Sequence, residues 1–214
     1  MIKKFDNLIF LDTETTGLEE QDRLFQIAYE FQGKEYNELF KPIVPITIEA
    51  METTNFTNKD VKDKKPFQGS KMEKHLQEIL KDNILVAHNA KFDVKMLEKE
   101  GLRVGKFIDT LKIARHLDPQ AKLGAYRLQY LRYALDLEIE EAQAHDALGD
   151  IRVLKALFIR LYEKLLKEIN DEKSVIEKMI EISETPILIR RINFGKYKGQ
   201  LVADVAQNDK SYLE

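Results

Sequence analysis

Cysteine is absent from the chain, so no disulfide framework and no thiolate metal site can form, and any bound metal must rest on oxygen or imidazole ligands. No apolar run approaches the roughly 20 residues that span a bilayer. Met-Ile-Lys-Lys-Phe-Asp leads straight into the first apolar stretch rather than into a signal peptide. A cytoplasmic protein with no membrane partner is expected. Positive charge is not in excess: 34 Lys and Arg stand against 37 Asp and Glu, giving a net charge of −3. That balance excludes a protein coated in positive charge but leaves room for a local basic patch. Internal repeats and low-complexity segments are missing too. What remains is 214 residues with 43% hydrophobic content, enough for one core and a small appendage.

The chain is organised around Leu8 to Leu18. Leu8, Ile9, Phe10 and Leu11 are all apolar, which predicts a strand covered on both faces, as in the middle of a helix-flanked sheet. Alternation along a strand puts Asp12 and Glu14 on one face where the apolar run stops and Thr15-Thr16-Gly17 turns the chain. Two carboxylates roughly 5 Å apart repel by about 3 kcal/mol at an effective dielectric of 20, so the pair calls for a divalent cation or a proton. With oxygen ligands, magnesium or manganese is the expected metal. Arg23 to Phe31 and Glu35 to Phe40 predict two further strands joined by a hairpin at Gly33-Lys34, hence an antiparallel meander. Pro42 to Pro66 reads as loops with one short helix, and Lys71 to Lys81 has Met72, Leu76, Ile79 and Leu80 at helical spacing.

Asn83 to Ala87 predicts a second buried strand that feeds a helix through His88-Asn89-Ala90-Lys91-Phe92-Asp93. Asp93 precedes Met96 and Leu97 by three and four residues and so occupies a core-facing stripe, either as a ligand or as an acid at the positive end of the helix dipole. His88 reads as a hydrogen-bonded core histidine and His116 as part of a solvated face. Phe107 to Leu111 predicts another strand, followed by an element over Lys112 to Leu117 and a short helix within Tyr126 to Tyr133. After an acidic loop, Asp150 heads the stripe Val153, Leu154, Leu157, Phe158, Leu161. His145 lies five residues earlier, about 140° away on a helix, so it shares a site with Asp150 only if it precedes the helix; Asp146 suits the N-cap. Val175 to Ile182 predicts a last body helix, and Ser183-Glu184-Thr185-Pro186 a linker. The tail beyond it is locally basic, with Arg190, Arg191, Lys196 and Lys198 unopposed until Asp204, and Phe194 and Tyr197 interleaved. It reads as a phosphate-tracking, base-stacking arm or as a solvated hairpin.

In combination these motifs resemble the DnaQ-like 3′→5′ exonucleases of the DEDDh type. Leu11-Asp12-Thr13-Glu14-Thr15-Thr16-Gly17 is similar to the family's first motif, His88 to Asp93 to its second, and His145-Asp146-Ala147-Leu148-Gly149-Asp150 to its third. The tail, Phe194-Gly195-Lys196-Tyr197-Lys198-Gly199 with Asp204-Val205-Ala206, resembles the exodeoxyribonuclease X group, as does Ile108 to Arg115. In that group a tryptophan and a leucine follow, whereas this chain stops at Glu214 and has no tryptophan, so a truncated module is expected. Thr54 stands where the family commonly has a pocket-lining histidine.

The resemblance implies an RNase H-like α/β fold: a mixed sheet, antiparallel meander plus parallel strands, flanked by helices. It divides the chain into an exonuclease domain over residues 1–182 and a small basic C-terminal module over 186–214. It implies two divalent cations, Mg2+ or Mn2+, about 3.5–4 Å apart. Asp12 would bridge both, Glu14 and Asp150 would complete one site, and Asp93 would hold the other directly or through water. His145 would be the general base, with an unperturbed pKa of about 6.5. The 3′ end would be held by Glu14, by backbone groups of Thr15, Thr16, Gly17 and Leu18, and by Asn89 and Phe92. DNA 3′ ends are the implied substrate, a DNA polymerase a potential partner, and repair or replication the setting. An RNA exonuclease on the same fold is the first alternative, since the metals ignore the sugar. A non-catalytic nucleic-acid-binding or polymerase-partner module is the second.

Overall fold

The apolar run at residues 8–11 becomes strand β1 (Leu8–Thr15), and the chain returns as β2 (Leu24–Phe31) and β3 (Lys34–Leu39) in an antiparallel meander. This computed structural model describes residues 5–137, 139, 147–186, 190–192 and 194–213. The hairpin turn falls on Gln32-Gly33, one residue earlier than expected, with φ of 51° and 76°. A two-residue turn matched to strand twist needs positive φ at both central residues, a condition glycine meets without strain. Between residues 42 and 66 two short helices form where one was expected, α1 (Ile48–Thr54) and α2 (Asn58–Val61). Thr47 caps the first, Asn55 ends it with a left-handed φ of 60°, and a Thr57/Asp60 capping box starts the second.

Helix α3 (Lys71–Ile79) then leads to strand β4 (Ile84–Ala87), helix α4 (Lys91–Lys99), strand β5 (Lys106–Asp109) and helix α5 (Thr110–His116). Strand β4 pairs parallel with β1 and β5 parallel with β4, so the sheet has the order β3-β2-β1-β4-β5. Three parallel strands therefore end along one rim. Helices α6 (Leu128–Ala134), α7 (Ala147–Ile169) and α8 (Glu172–Glu184) complete the body, and a short α9 (Val202–Asn208) lies in the tail.

Alternation along β1 sorts the core into two layers. Leu8 and Phe10 join Ile84, Val86 and Ile108 beneath α5, α7 and α8. Ile9 and Leu11 join Leu85, Leu76 and Leu97 beneath α3 and α4. Fully burying one such side chain is worth about 1.5–3 kcal/mol, so this two-sided packing fixes the register of β1.

Of the expected linker at Ser183 to Pro186, the first two residues are the end of α8, and Thr185 is its extended C-cap. Ser183 is fully buried; its Oγ accepts from the Asp109 amide at 2.7 Å and donates to Met179 O at 2.7 Å. Lys112 Nζ donates to the carbonyls of Ser183 and Thr185, each at 2.6 Å. A helix end leaves carbonyls without partners, and here a lysine from α5 satisfies them.

Candidate active site

The parity that sorts the core also sorts the site. Asp12 and Glu14 share the face of Leu8 and Phe10, which α7 covers, and Asp150 enters from the first turn of α7. Ligand atoms of Asp12, Glu14 and Asp150 all lie within 4.8 Å of one another. Asp93, in the first turn of α4, comes from the opposite layer and stands outside that group of three. Its Oδ1 accepts from the Thr13 amide at 3.1 Å and the Thr13 hydroxyl at 2.8 Å. Thr13 thus ties α4 to the strand between the two acids of β1.

Four acids at one strand end should hold protons more tightly than free carboxylates, because burial and mutual repulsion both disfavour the charged form. Burial, then the charges of Asp93, Glu14 and Asp150, keep the Asp12 carboxyl well above its ordinary range. Burial, Asp150 and Asp93 push Glu14 up to about 7. Burial also raises Asp93 to about 7 against the pull of its Thr13 hydrogen bonds. Such a site favours an occupant that brings positive charge, and the hard oxygen donors suit a divalent cation.

Gln129, on α6, has no signal in the sequence and faces this cluster. Its Nε2 donates to Asp150 Oδ1, and its Oε1 is buried without a partner. His145 and Asp146, the expected base and cap, lie outside the described residues. His88 is half-buried, with Nδ1 2.9 Å from Thr110 Oγ1 and Nε2 2.7 Å from Tyr126 O; burial pushes its pKa down to about 4. It is a neutral structural histidine, and His116 is exposed, both as expected.

The expected substrate grip is held by an acid the sequence did not single out. Asp22 is buried and accepts from Thr16 Oγ1 and the Glu19 amide, each at 2.7 Å. A Cβ on Gly17 would lie 2.5 Å from Asp22 Oδ2, so only glycine fits there. Thr15 Oγ1 donates to Gly17 O at 2.8 Å. Thr16 is committed inside the fold: its amide donates to Arg23 O and its carbonyl accepts from the Thr47 amide, both at 2.9 Å. Leu18, next in line, is 82% exposed. Across the rim, Asn89 adopts a left-handed φ of 66° and its amide donates to Asp109 Oδ1 at 3.0 Å; Phe92 is half-buried beside it. Thr54 is buried and donates to Ala50 O at 2.8 Å.

The tail's cations are not all unopposed. Lys196 Nζ and Tyr197 OH both donate to Asp209 Oδ2 at 2.8 Å. The Arg191 guanidinium is spent on the carbonyls of Ala121 at 3.0 Å and Gly199 at 2.8 Å. Lys198, Arg190 and Phe194 remain exposed.

Comparison with known proteins agrees with this geometry. Residues 9–158 match the exonuclease family, and residues 192–214 match the exodeoxyribonuclease X-like C-terminal family. Exodeoxyribonuclease 10 of Escherichia coli K12 is 33% identical over 212 residues, covering 96% of this chain and 88% of that protein. A PolC-type DNA polymerase III from Caldanaerobacter subterraneus is 30% identical over 195 residues, 84% of this chain but 14% of the polymerase. The solved structure of exonuclease X in complex with 5′ overhanging duplex DNA superposes with a TM-score of 0.63 at 29% identity, over 82% of this chain and 99% of that one. With an RNase H-like mixed sheet, an acidic cluster at its central strand end and matches over both segments, the chain belongs to the exonuclease family.

Proposed function

We propose that this protein is a metal-dependent 3′→5′ exodeoxyribonuclease that releases nucleoside 5′-monophosphates from DNA 3′ ends. The observation that carries the reading is the convergence of Asp12, Glu14 and Asp150 within 4.8 Å, on a chain that is 33% identical to an exodeoxyribonuclease over nearly its whole length. Asp12, Glu14 and Asp150 would hold one divalent cation, Mg2+ or Mn2+, and Asp12 with Asp93 a second. When bound, such a pair supplies charge stabilisation for the attacking and leaving oxygens of an in-line displacement. Thr13 fixes Asp93 through its amide and hydroxyl, and Gln129 fixes Asp150. His145 takes the proton from the attacking water, since a neutral imidazole is the available base near pH 7. The Asp22-braced loop presents Gly17 and Leu18 to the terminal nucleotide, with Asn89 and Phe92 on the other side of the acids.

Residues 1–182 would form the catalytic domain and 186–214 a DNA-holding module bearing Arg190, Arg191, Lys196, Tyr197 and Lys198. A DNA polymerase is a fitting partner, given the PolC relatives. Among the described residues no helix is long and apolar enough to cross a membrane, and DNA as substrate accords with a cytoplasmic enzyme. The test is degradation of single-stranded DNA, duplex DNA and RNA, labelled at either end, with magnesium, manganese or chelator. Wild type should shorten DNA from its 3′ end only with metal, and Asp150→Ala should not. Preferential loss of RNA would move the assignment to an RNA exonuclease, and no turnover of any substrate would overturn it.

A further inference from the structure

On the flank of the sheet beyond β5, a solvent-open cleft of about 110 Å³ is lined by Lys112, Arg115, His116, Ile182, Thr185, Pro186 and Arg190. Four of these side chains are basic and none is acidic. Among the described residues no carboxylate pairs with Arg115, His116 or Arg190. The Arg115 guanidinium lies over the Tyr126 ring, 4.9 Å from its centroid, and its buried Nε has no partner. Lys112 is buried, spends two protons on the α8 carbonyls, and feels both the like charge of Lys91 and the opposite charge of Asp109. The two nearby acids are engaged elsewhere: Asp109 accepts from the amides of Asn89, Leu111 and Lys112, and Asp118 from the Tyr126 hydroxyl and the amides of Lys122 and Leu123. In a chain of net charge −3, the two guanidinium groups of Arg115 and Arg190 on one cleft, with no carboxylate paired to either among the described residues, form a site kept for an anion.

The position of the cleft says which anion. Helices α4 and α5 start at the rim where β1 ends in its acids, so Lys91 and Lys112 lie in first turns near that rim, and Lys112 and Arg115 line the cleft together with Arg190 of the tail. Two strand spacings separate β1 from β5, roughly 10 Å, and the helix layer adds a similar distance. At about 3.4 Å rise per nucleotide, a strand with its 3′ end at the acids reaches the cleft several nucleotides back. We infer that the Lys112–Arg115–His116–Arg190 cleft binds an internal backbone phosphate of the strand being degraded. The planar Arg115 fork and the tail-borne Arg190 would take its oxygens. This rests on the exonuclease reading and assigns to it a phosphate-binding step remote from the chemistry.

The test uses the full chain in an Asp12→Asn background, so that bound DNA is not consumed. Affinity for a single-stranded oligonucleotide is followed against salt. Arg190→Glu and His116→Glu change exposed residues and should each weaken binding about tenfold and flatten the salt dependence by roughly 0.7 for every phosphate no longer neutralised. Arg115→Gln should do the same if it folds. With a trinucleotide the difference from the parent should vanish. A single methylphosphonate walked along the oligonucleotide should weaken the parent at one internal position and leave Arg190→Glu unaffected there. Unchanged affinity and salt slope in both exposed variants, or no position-specific methylphosphonate effect, overturns the inference. So does inorganic phosphate protecting the cleft without any such effect, which would make it a free-anion site. Turnover of the same oligonucleotide by wild type is scored separately, so that failure of the exonuclease reading is seen on its own.

Discussion

The fold carries two opposite collections of charge, one at the rim of the sheet and one on its flank. At the end of β1, Asp12, Glu14 and Asp150 crowd together, and Asp93 stands just behind. Beyond β5, Lys112, Arg115, His116 and Arg190 gather with no acid among them. Moved together, the two sets would neutralise each other; the fold keeps them apart, on different strands and different helices. Charge of one sign that a protein holds away from its own opposite charge is charge held for something else. The acids suit metal and the cations suit phosphate, which a nuclease must bring together only when its substrate arrives.

Asp12→Asn should break the acidic side most completely. Turnover should fall to that of wild type in chelator, while the metal-free melting temperature rises because a repelling carboxylate is gone. Equal metal-induced melting shifts in wild type and variant would show that Asp12 holds no cation. His145→Ala should separate chemistry from binding. Its rate should drop about 10²–10⁴-fold, its metal affinity should hold, and the rise of turnover with pH through the histidine's pKa should vanish. Weakened metal binding with an intact pH profile would assign His145 another role.

A milder contrast is drawn by pH. Glu14 and Asp93 titrate near 7 in the folded protein, against about 4 in an unfolded chain. The folded state therefore holds their protons more tightly, so the stability they contribute is complete below about pH 4 and lost as pH rises towards 7. Metal-free protein should lose on the order of a few kcal/mol over that window relative to Glu14→Gln, and bound magnesium or manganese should flatten the difference. A flat difference in chelator would show that these acids ionise normally in the fold. The smallest effect should come from Gln129→Leu. Losing the amide that orients Asp150 should weaken metal binding about tenfold, as loss of an outer partner typically does, and leave the Asp12→Asn variant, already without turnover, unaltered in activity. Calorimetric metal titration measures it.

The acidic side was legible in the sequence because period-two alternation and helical stripes announce it. An unbroken apolar run followed by Asp12 and Glu14, and acids heading the stripes of α4 and α7, are patterns that each lie within a few residues. The groups that hold those acids were not legible. Thr13 grips a residue 80 positions away and Gln129 one 21 away, and Asp22 looks like any loop acid until Gly17 closes over it. The basic cleft was invisible for the same reason, since it joins α5 to Arg190 across more than seventy residues. Ser183 and Glu184 misled because their setting before Thr185-Pro186 reads as a linker, whereas Lys112 supplies from afar the partner that satisfies the end of α8.

That lysine has a consequence for how the molecule opens. The last turn of a helix ordinarily frays, and its amides exchange with solvent almost freely. Here Lys112 holds the carbonyls of Ser183 and Thr185 while Ser183 Oγ takes the Asp109 amide, so the end of α8 can loosen only with the end of β5. Deuterium uptake at residues 181–185 should then track that of β5 rather than that of the tail. A chain cut after Ile182 would strip the Lys112 ammonium and the Asp109 amide of these partners at once.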